Sequence, residues 1–392
     1  MKITILSHDL SSNSVLRAHR LALAAQHFAD VKLIGPVHPS GLWPALPAEK
    51  WIQALPASSS AEFAASFLDL VEAEGEVLLA VKPHLASFGV ALIATQRNPR
   101  PLILDLDDLD TAFLPGTPWA ANPSLADLSH PASPVFVHLL TRSTAAAHAI
   151  TVSSTALQKR FGGTLIHQGC ATEIFDPAGI DRAAARREFG FTGPTVLFVG
   201  TPRPHKGLLP LAQAVSLIPE ARLAVSTTLE ANLSGEEWSH FPIQRIPMVP
   251  YTDVARLIAA SDLVAIPQMD TEAARYQMPL KVYDCMAMGV PIVASSVSDL
   301  PQVLEGCAHL VPPGDIQALA DAIQKVIQDP ATARKMGLRA RKKCLANYTM
   351  AHVARALREV VRQVAPGMFE EELRPHELDH DPETLVSHSA IG

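Results

Sequence analysis

Residues 196–208 read VLFVGTPRPHKGL. The apolar run Val196, Leu197, Phe198 and Val199 predicts a strand that stops at Gly200; a basic loop follows, and apolar spacing at Leu208, Leu211, Ala212 and Val215 predicts a helix. A strand, a turn and a helix start form a place where an anion is stabilised. The first N–H groups of a helix have no partner inside it, and the macrodipole adds about half a positive charge there. Arg203 and Lys206 add two cations to that site. Neither the Walker spacing nor G-x-G-x-x-G is present, so the common mononucleotide and dinucleotide loops are excluded on residue count.

About 75 residues further on, by the numbering, residues 278–296 read MPLKVYDCMAMGVPIVASS. They contain a proline, a lysine two positions later, an acidic residue three after that, a small-residue helix, a glycine stop and a buried strand. The two segments together resemble the retaining nucleotide-sugar glycosyltransferases of the family 4 group (glycosyl transferases group 1). The resemblance implies a GT-B architecture and transfer of a sugar from a nucleoside-diphosphate donor with retention of configuration. It implies that Gly200, Thr201, Gly207, Arg203 and Lys206 surround the donor diphosphate, with Arg203 and Lys206 as catalytic cations. Asp284 takes the ribose position, and Lys281, three residues earlier, shares its helix face. Residues 245–267 resemble the family stretch in which a turn lies against the nucleobase, which puts Val249 and Tyr251 beside the base. Two departures stand out: Thr201 follows the glycine where most relatives have arginine, and Tyr276 stands where the family has a glutamate. Asp270 and Glu272 are the candidates to replace that glutamate.

The cations matter for a physical reason. Breaking the bond between the anomeric carbon and the diphosphate puts positive charge on the sugar and negative charge on the leaving oxygen, so a fixed cationic cradle favours the transition state over the ground state. In the first half of the chain LILDLDDLD (102–110) ends a strand in acidic residues. Ligands sit at the carboxyl ends of strands in such sheets, so Asp107 and Asp108 are expected at the cleft. The resemblance further implies that Asp107 stands where many relatives have a histidine beside the donor sugar, which makes it a third catalytic candidate. His8, Ser11, Asn13 and Arg17 follow the first strand, where relatives often have glycines.

The chain has 392 residues, 48% hydrophobic and 18% charged, with a formal net charge of −7. That suits two ordinary domains and argues against nucleic acid as a partner. The expected partners are a nucleoside-diphosphate sugar and a glycan, lipid or small-molecule acceptor, with at most a weak peripheral membrane contact. MKITIL reads as a strand rather than a signal sequence, and no apolar run reaches about 18 residues. The four cysteines are scattered without C-x-x-C spacing, which speaks against a disulfide framework or a zinc site. A cytoplasmic location, no cofactor and no metal are expected.

Strands are predicted at 2–6, 31–35, 76–81, 101–106, 148–152 and 164–167, with a helix at 14–29. A second series follows at 195–200, 222–226, 243–247, 263–266, 291–294 and 308–311. Strands alternating with helices mean two α/β, doubly wound Rossmann-like domains with an interdomain cleft. The expected division is 1–175 for the acceptor side, a linker at 176–193 introduced by the family-like HQGCATEIFDPAG (167–179), and 194–346 for the donor side. A helix at 347–365 crosses back at NYTM (347–350), and 366–392 is an acidic, disordered tail. Three other readings stay open. A haloacid-dehalogenase-type phosphatase would use Asp105 of LILDLDDL; a nucleotide-sugar 2-epimerase shares the architecture; a non-catalytic subunit would keep only the donor pocket.

Overall fold

The computed structural model of the chain describes residues 1–47, 49–57, 60–114, 133–227 and 236–373. Thirteen strands are found among them, in two parallel sheets. The first sheet contains β1 (Lys2–Ser7), β2 (Asp30–Val37), β3 (Ile52–Pro56), β4 (Val77–Val81), β5 (Leu102–Leu106), β6 (Ala149–Val152) and β7 (Thr164–Leu165), in the order β3-β2-β1-β4-β5-β6-β7. The second contains β8 (Thr195–Val199), β9 (Arg222–Thr227), β10 (Ile243–Pro247), β11 (Leu263–Ile266), β12 (Ile292–Ser295) and β13 (His309–Val311), in the order β10-β9-β8-β11-β12-β13. Both are α/β doubly wound sheets. Their central strands are buried on both faces. Ile3, Ile5, Val77 and Leu79 on one side and Leu6, Leu78 and Ala80 on the other in the first sheet, and Leu197 and Val264 on one side and Val196 and Leu263 on the other in the second, are all fully shielded from solvent. This is why they read as continuous apolar runs rather than as alternating ones.

The predicted strands are present within a residue or two of their expected ends, with one addition. Strand β3 was missed because IQALP is short, mixed and closed by proline; it forms an edge, where proline is tolerated, and takes its register from Leu33 opposite Ile52. The helix expected at 14–29 is Val15–Ala25.

The last long helix, Met350–Val364, packs through Val353, Leu357, Val360 and Val361 against Ala18, Leu21, Ala22 and Ala25 of the first domain's opening helix. The chain crosses at Thr349, where Cys170 N–H donates to Tyr348 O at 2.7 Å and Met350 N–H donates to Cys170 O at 3.1 Å. Two expectations need correcting. The stretch read as a linker at 176–193 holds a helix, Arg182–Glu188, whose Ala185 is buried together with Phe191 in the second domain's core. The stretch read as a disordered tail begins with a 3-10 helix, Pro366–Leu373, because Phe369 is buried against the first domain and lies under the Arg358 guanidinium at 5.5 Å. Residues 374–392 lie outside the described residues.

Candidate functional site

Each sheet reverses its strand order once, between β1 and β4 in the first and between β8 and β11 in the second. A crevice opens at the carboxyl ends of the strands at such a reversal. The two crevices face each other and enclose a cleft of about 420 Å3. His8 and Lys82, just past β1 and β4, line one wall; Gly200 and Gln268, just past β8 and β11, line the other.

The loop after β8 is fixed by its neighbours. Gly200 N–H donates to Ser226 O at 3.0 Å, and Pro204–Lys206 forms a 3-10 turn. Gly207 then caps the helix Leu208–Ser216 in the left-handed conformation, φ +68°. A Cβ at Gly207 would lie 1.8 Å from Pro267 O, so only glycine lets the loop rest on the extension of β11. Met269 N–H donates to His205 O at 2.8 Å and completes the clamp. Gly200, Thr201, Arg203 and Lys206 all border the cleft. Gly207 packs against Pro267 behind this wall.

Cations gather on this wall, and among the described residues no carboxylate lies within ion-pair distance of Lys206 or Lys281. Burial and the neighbouring Arg203 bring the Lys206 ammonium down to about 8. Burial and Lys206 bring Lys281 down to about 7. The Lys281 ammonium sits 4.4 Å above the Phe198 ring and donates to Val199 O; it is not paired with Asp284, although both border the cleft. Burial, Lys206 and Arg203 hold the His205 imidazole at about 4, so it is neutral.

The facing wall is acidic around one buried lysine. Lys82, 3% exposed and in a left-handed conformation (φ +70°), places its ammonium 2.8 Å from Asp107, 2.6 Å from Asp108 and 3.3 Å from Asp110. His84 Nε2 is 3.1 Å from Asp110, and His8 stacks on His84 at 4.0 Å. Burial lifts the Asp107 carboxyl to about 7, with Lys82 opposing the rise and Asp108 adding to it. A carboxyl raised in this way holds a proton more readily than an ordinary aspartate, a property suited to moving a proton. Gln277 Nε2 reaches across from the second domain and donates to Asp108 at 2.7 Å.

Val249 and Tyr251 border the cleft beyond β10. Asp284 borders it from the helix Lys281–Met288, and both of its oxygens are held by Arg20 of the first domain at 2.7 and 2.8 Å. Asp270 and Glu272 do not line the cleft: Asp270 pairs with Arg275 at 2.6 Å on the surface, and Glu272 lies 3.9 Å from Arg160. Neither replaces the glutamate whose position Tyr276 occupies, because the turn at Thr271 and the short helix Glu272–Tyr276 direct them outward. Arg160 also covers the Tyr276 ring at 5.5 Å.

Asp105, the nucleophile that a dehalogenase-type phosphatase would need, is fully buried. Arg17 donates to both of its oxygens at 2.8 Å, and Thr151 donates at 2.6 Å. It ties β5 to β6 and to the opening helix and has no oxygen facing the cleft, which removes that reading.

Sequence reasoning missed Lys82, Arg20 and Gln268. Gln268 is 3% exposed, and neither polar atom of its amide has a hydrogen-bond partner among the described residues. Lys82 and Gln268 carried one legible signal, since Lys82 directly follows β4 and Gln268 follows β11 after one proline, both at reversal points. Arg20 carried none, because its partner is 264 residues away.

Comparison with known proteins agrees with this geometry. Residues 205–359 match the family model described as glycosyl transferase-like. The chain is 30% identical over 184 residues to D-inositol 3-phosphate glycosyltransferase of Mycobacterium marinum, covering 43% of this chain and 38% of that one. It is 29% identical over 155 residues to O-antigen chain mannosyltransferase B of Escherichia coli, covering 35% and 39%. The chain thus spans well under two thirds of the length of these curated relatives. Among solved structures, sucrose-phosphate synthase from Thermosynechococcus elongatus superposes with a TM-score of 0.70 at 18% identity, covering 94% of this chain and all of that one (100%). HepE from Anabaena, in complex with UDP-glucose, superposes at 0.70 and 17% identity, covering 93% and 100%. Two facing sheets that meet at their reversal points give the chain a GT-B fold, and its second half carries the glycosyl transferase-like match.

Proposed function

We propose that the chain is a glycosyltransferase that moves a sugar from a nucleoside diphosphate to an acceptor hydroxyl. The observation that carries this reading is the pairing of walls: a clamped cationic loop ending in Lys206 faces an acidic cluster organised by Lys82 across one interdomain cleft. Arg203 and Lys206 take the diphosphate, where charge grows as the bond breaks, and Lys281 adds to the field behind them. Asp284 takes the ribose, and Val249 and Tyr251 border the base. Asp107 lies across from the diphosphate, where an acceptor proton or the positive charge on the sugar develops. Retention of configuration, a glycan, lipid or small-molecule acceptor and turnover without a cofactor complete the proposal. UDP is the first donor nucleotide to test, since HepE is solved in complex with UDP and with UDP-glucose.

A thermal-shift panel of UDP, GDP, ADP and TDP tests the donor half. A ligand that binds only the folded chain raises its melting temperature in proportion to occupancy, so one nucleotide is expected to stand out. No shift with any of the four at millimolar concentration would remove the proposal.

A further inference from the structure

Asp284 is not held by its own domain. Arg20, on the first domain's opening helix, donates through Nη2 to both Asp284 oxygens at 2.7 and 2.8 Å, and the same nitrogen lies 2.7 Å from the Tyr251 hydroxyl. Its other terminal nitrogen donates to Gly169 O. Arg20 and Asp284 are 2% and 3% exposed, yet Asp284 still borders the cleft. The guanidinium also stands 5.7 Å from the centre of the Tyr251 ring, beside the position taken here for the base. An arginine of one domain therefore organises two donor-site side chains of the other.

Three features make this more than a structural tie. A carboxylate has about four lone-pair sites; Arg20 takes one on each oxygen and the Cys170 thiol a third, which leaves a site free to accept a ribose hydroxyl. A buried carboxylate without a cation tends to take up a proton, after which one oxygen donates instead of accepting. Arg20 comes from the opening helix, whereas Asp284 and Tyr251 belong to the second domain, so the arrangement exists only when the domains are closed.

We propose that Arg20 is a positioning residue of the donor site, holding Asp284 as an oriented anion for a ribose hydroxyl and thereby coupling donor binding to domain closure. This rests on the donor-binding reading above. The coupling is reciprocal: a nucleotide that needs the Arg20–Asp284 pair favours the closed arrangement to the same degree that closure favours the nucleotide.

The groups that set the Asp284 charge are few. Burial works to raise its carboxyl, opposed by Arg20 from the opening helix and by Cys170 from the interdomain crossing. Tyr251 faces it from the turn after β10, and Lys281 and Cys285 flank it on its own helix. His19, beside Arg20, is held at about 4 by burial and by Arg20. Once Arg20 is removed, the charge that keeps Asp284 ionised is gone, so the carboxyl takes up a proton at higher pH than in the wild type.

Titration calorimetry of the full chain with UDP, followed by GDP, ADP and TDP, tests the proposal in wild type, R20A and R20K. Circular dichroism and melting curves check that each variant is folded. R20A is expected to bind the wild type's preferred nucleotide at least about tenfold more weakly, and R20K to recover part of the loss. The ratio of wild-type to R20A affinity should widen as pH falls from about 8 to about 5.5, since the titrations of the nucleotide, Lys206 and Lys281 are common to both proteins and the protonation of Asp284 is what differs. If R20A and R20K are folded and bind as tightly as wild type, or more tightly, Arg20 plugs the site or is irrelevant to it, and the proposal is overturned while the donor reading stands. If R20A does not fold, R20K alone decides: a weaker, pH-dependent affinity supports the proposal and an unchanged one overturns it. If wild type binds none of the four nucleotides, the donor reading fails and takes this inference with it.

Discussion

Replacing Lys206 by alanine is the most direct perturbation of the diphosphate site. The ammonium is half-buried in a loop clamped by Gly207 and His205, and with its value near 8 it is about nine-tenths protonated at pH 7, half at pH 8 and a tenth at pH 9. A charge-assisted hydrogen bond to an anion is worth about 1.5 to 3 kcal/mol, so K206A should bind the nucleoside diphosphate about 10- to 150-fold more weakly at pH 7. The same cation acts on the leaving group, and loss of one preorganised contact of this kind costs about 3 kcal/mol, roughly a hundredfold in rate. The sign of the pH effect follows from the direction of the shift. Burial has made the neutral amine easier to reach, so affinity falls as pH rises through about 8, and the contribution of Lys206 between pH 7 and 9 is about tenfold. That contribution is absent from K206A. Calorimetric titration at pH 7, 8 and 9, with release of nucleotide from a nucleotide sugar as the rate assay, measures both effects. Wild-type affinity in K206A, or an alkaline decline of equal size in both proteins, would refute the cradle.

Asp284→Asn keeps the shape of the side chain and weakens its acceptance of ribose hydroxyls, at about 1 to 3 kcal/mol of nucleotide affinity; a 2′- or 3′-deoxy nucleotide should suffer less from the mutation, and equal losses would separate Asp284 from the ribose. Gly207→Ala forces both a left-handed alanine and a clash with Pro267 O, so urea unfolding should show a loss of at least about 2 kcal/mol, and a neutral result would contradict the described loop. Arg17→Met leaves Asp105 as an unpaired buried charge and should lower unfolding free energy by about 3 to 5 kcal/mol; a change under about 1 kcal/mol would show that the pair is not buried as described.

Much of the architecture was legible in the sequence because it is local. Strands buried on both faces leave continuous apolar runs such as Val196–Val199, and parallel strands require intervening helices, so two series of alternating elements dictate two doubly wound sheets. The basic loop after Gly200 could be read for the same reason: an anion site at a strand-to-helix turn is built from neighbours in the chain. Edge strand β3 escaped because it lacks a buried face on both sides, and the helix Arg182–Glu188 was read as linker because RAAARRE carries only one deeply buried residue, Ala185.

What the tertiary structure decided is which charges meet. The sequence brings Lys281 and Asp284 to one helix face, yet folding gives Lys281 to Val199 and Phe198 and gives Asp284 to Arg20. It places Asp105, Asp107 and Asp108 within four residues of each other, yet Asp105 lies inside β5 and pairs with Arg17, while Asp107 and Asp108 lie past the strand's end and reach Lys82 at the cleft. Gln268 acquires its interest only once Pro267 and Met269 are seen to be clamped on the loop at 203–207. Local sequence specifies where strands end, because burial and turn chemistry act between near neighbours. The partner of a buried charge is set by whichever distant group folding carries within hydrogen-bonding range, and no spacing along the chain encodes that.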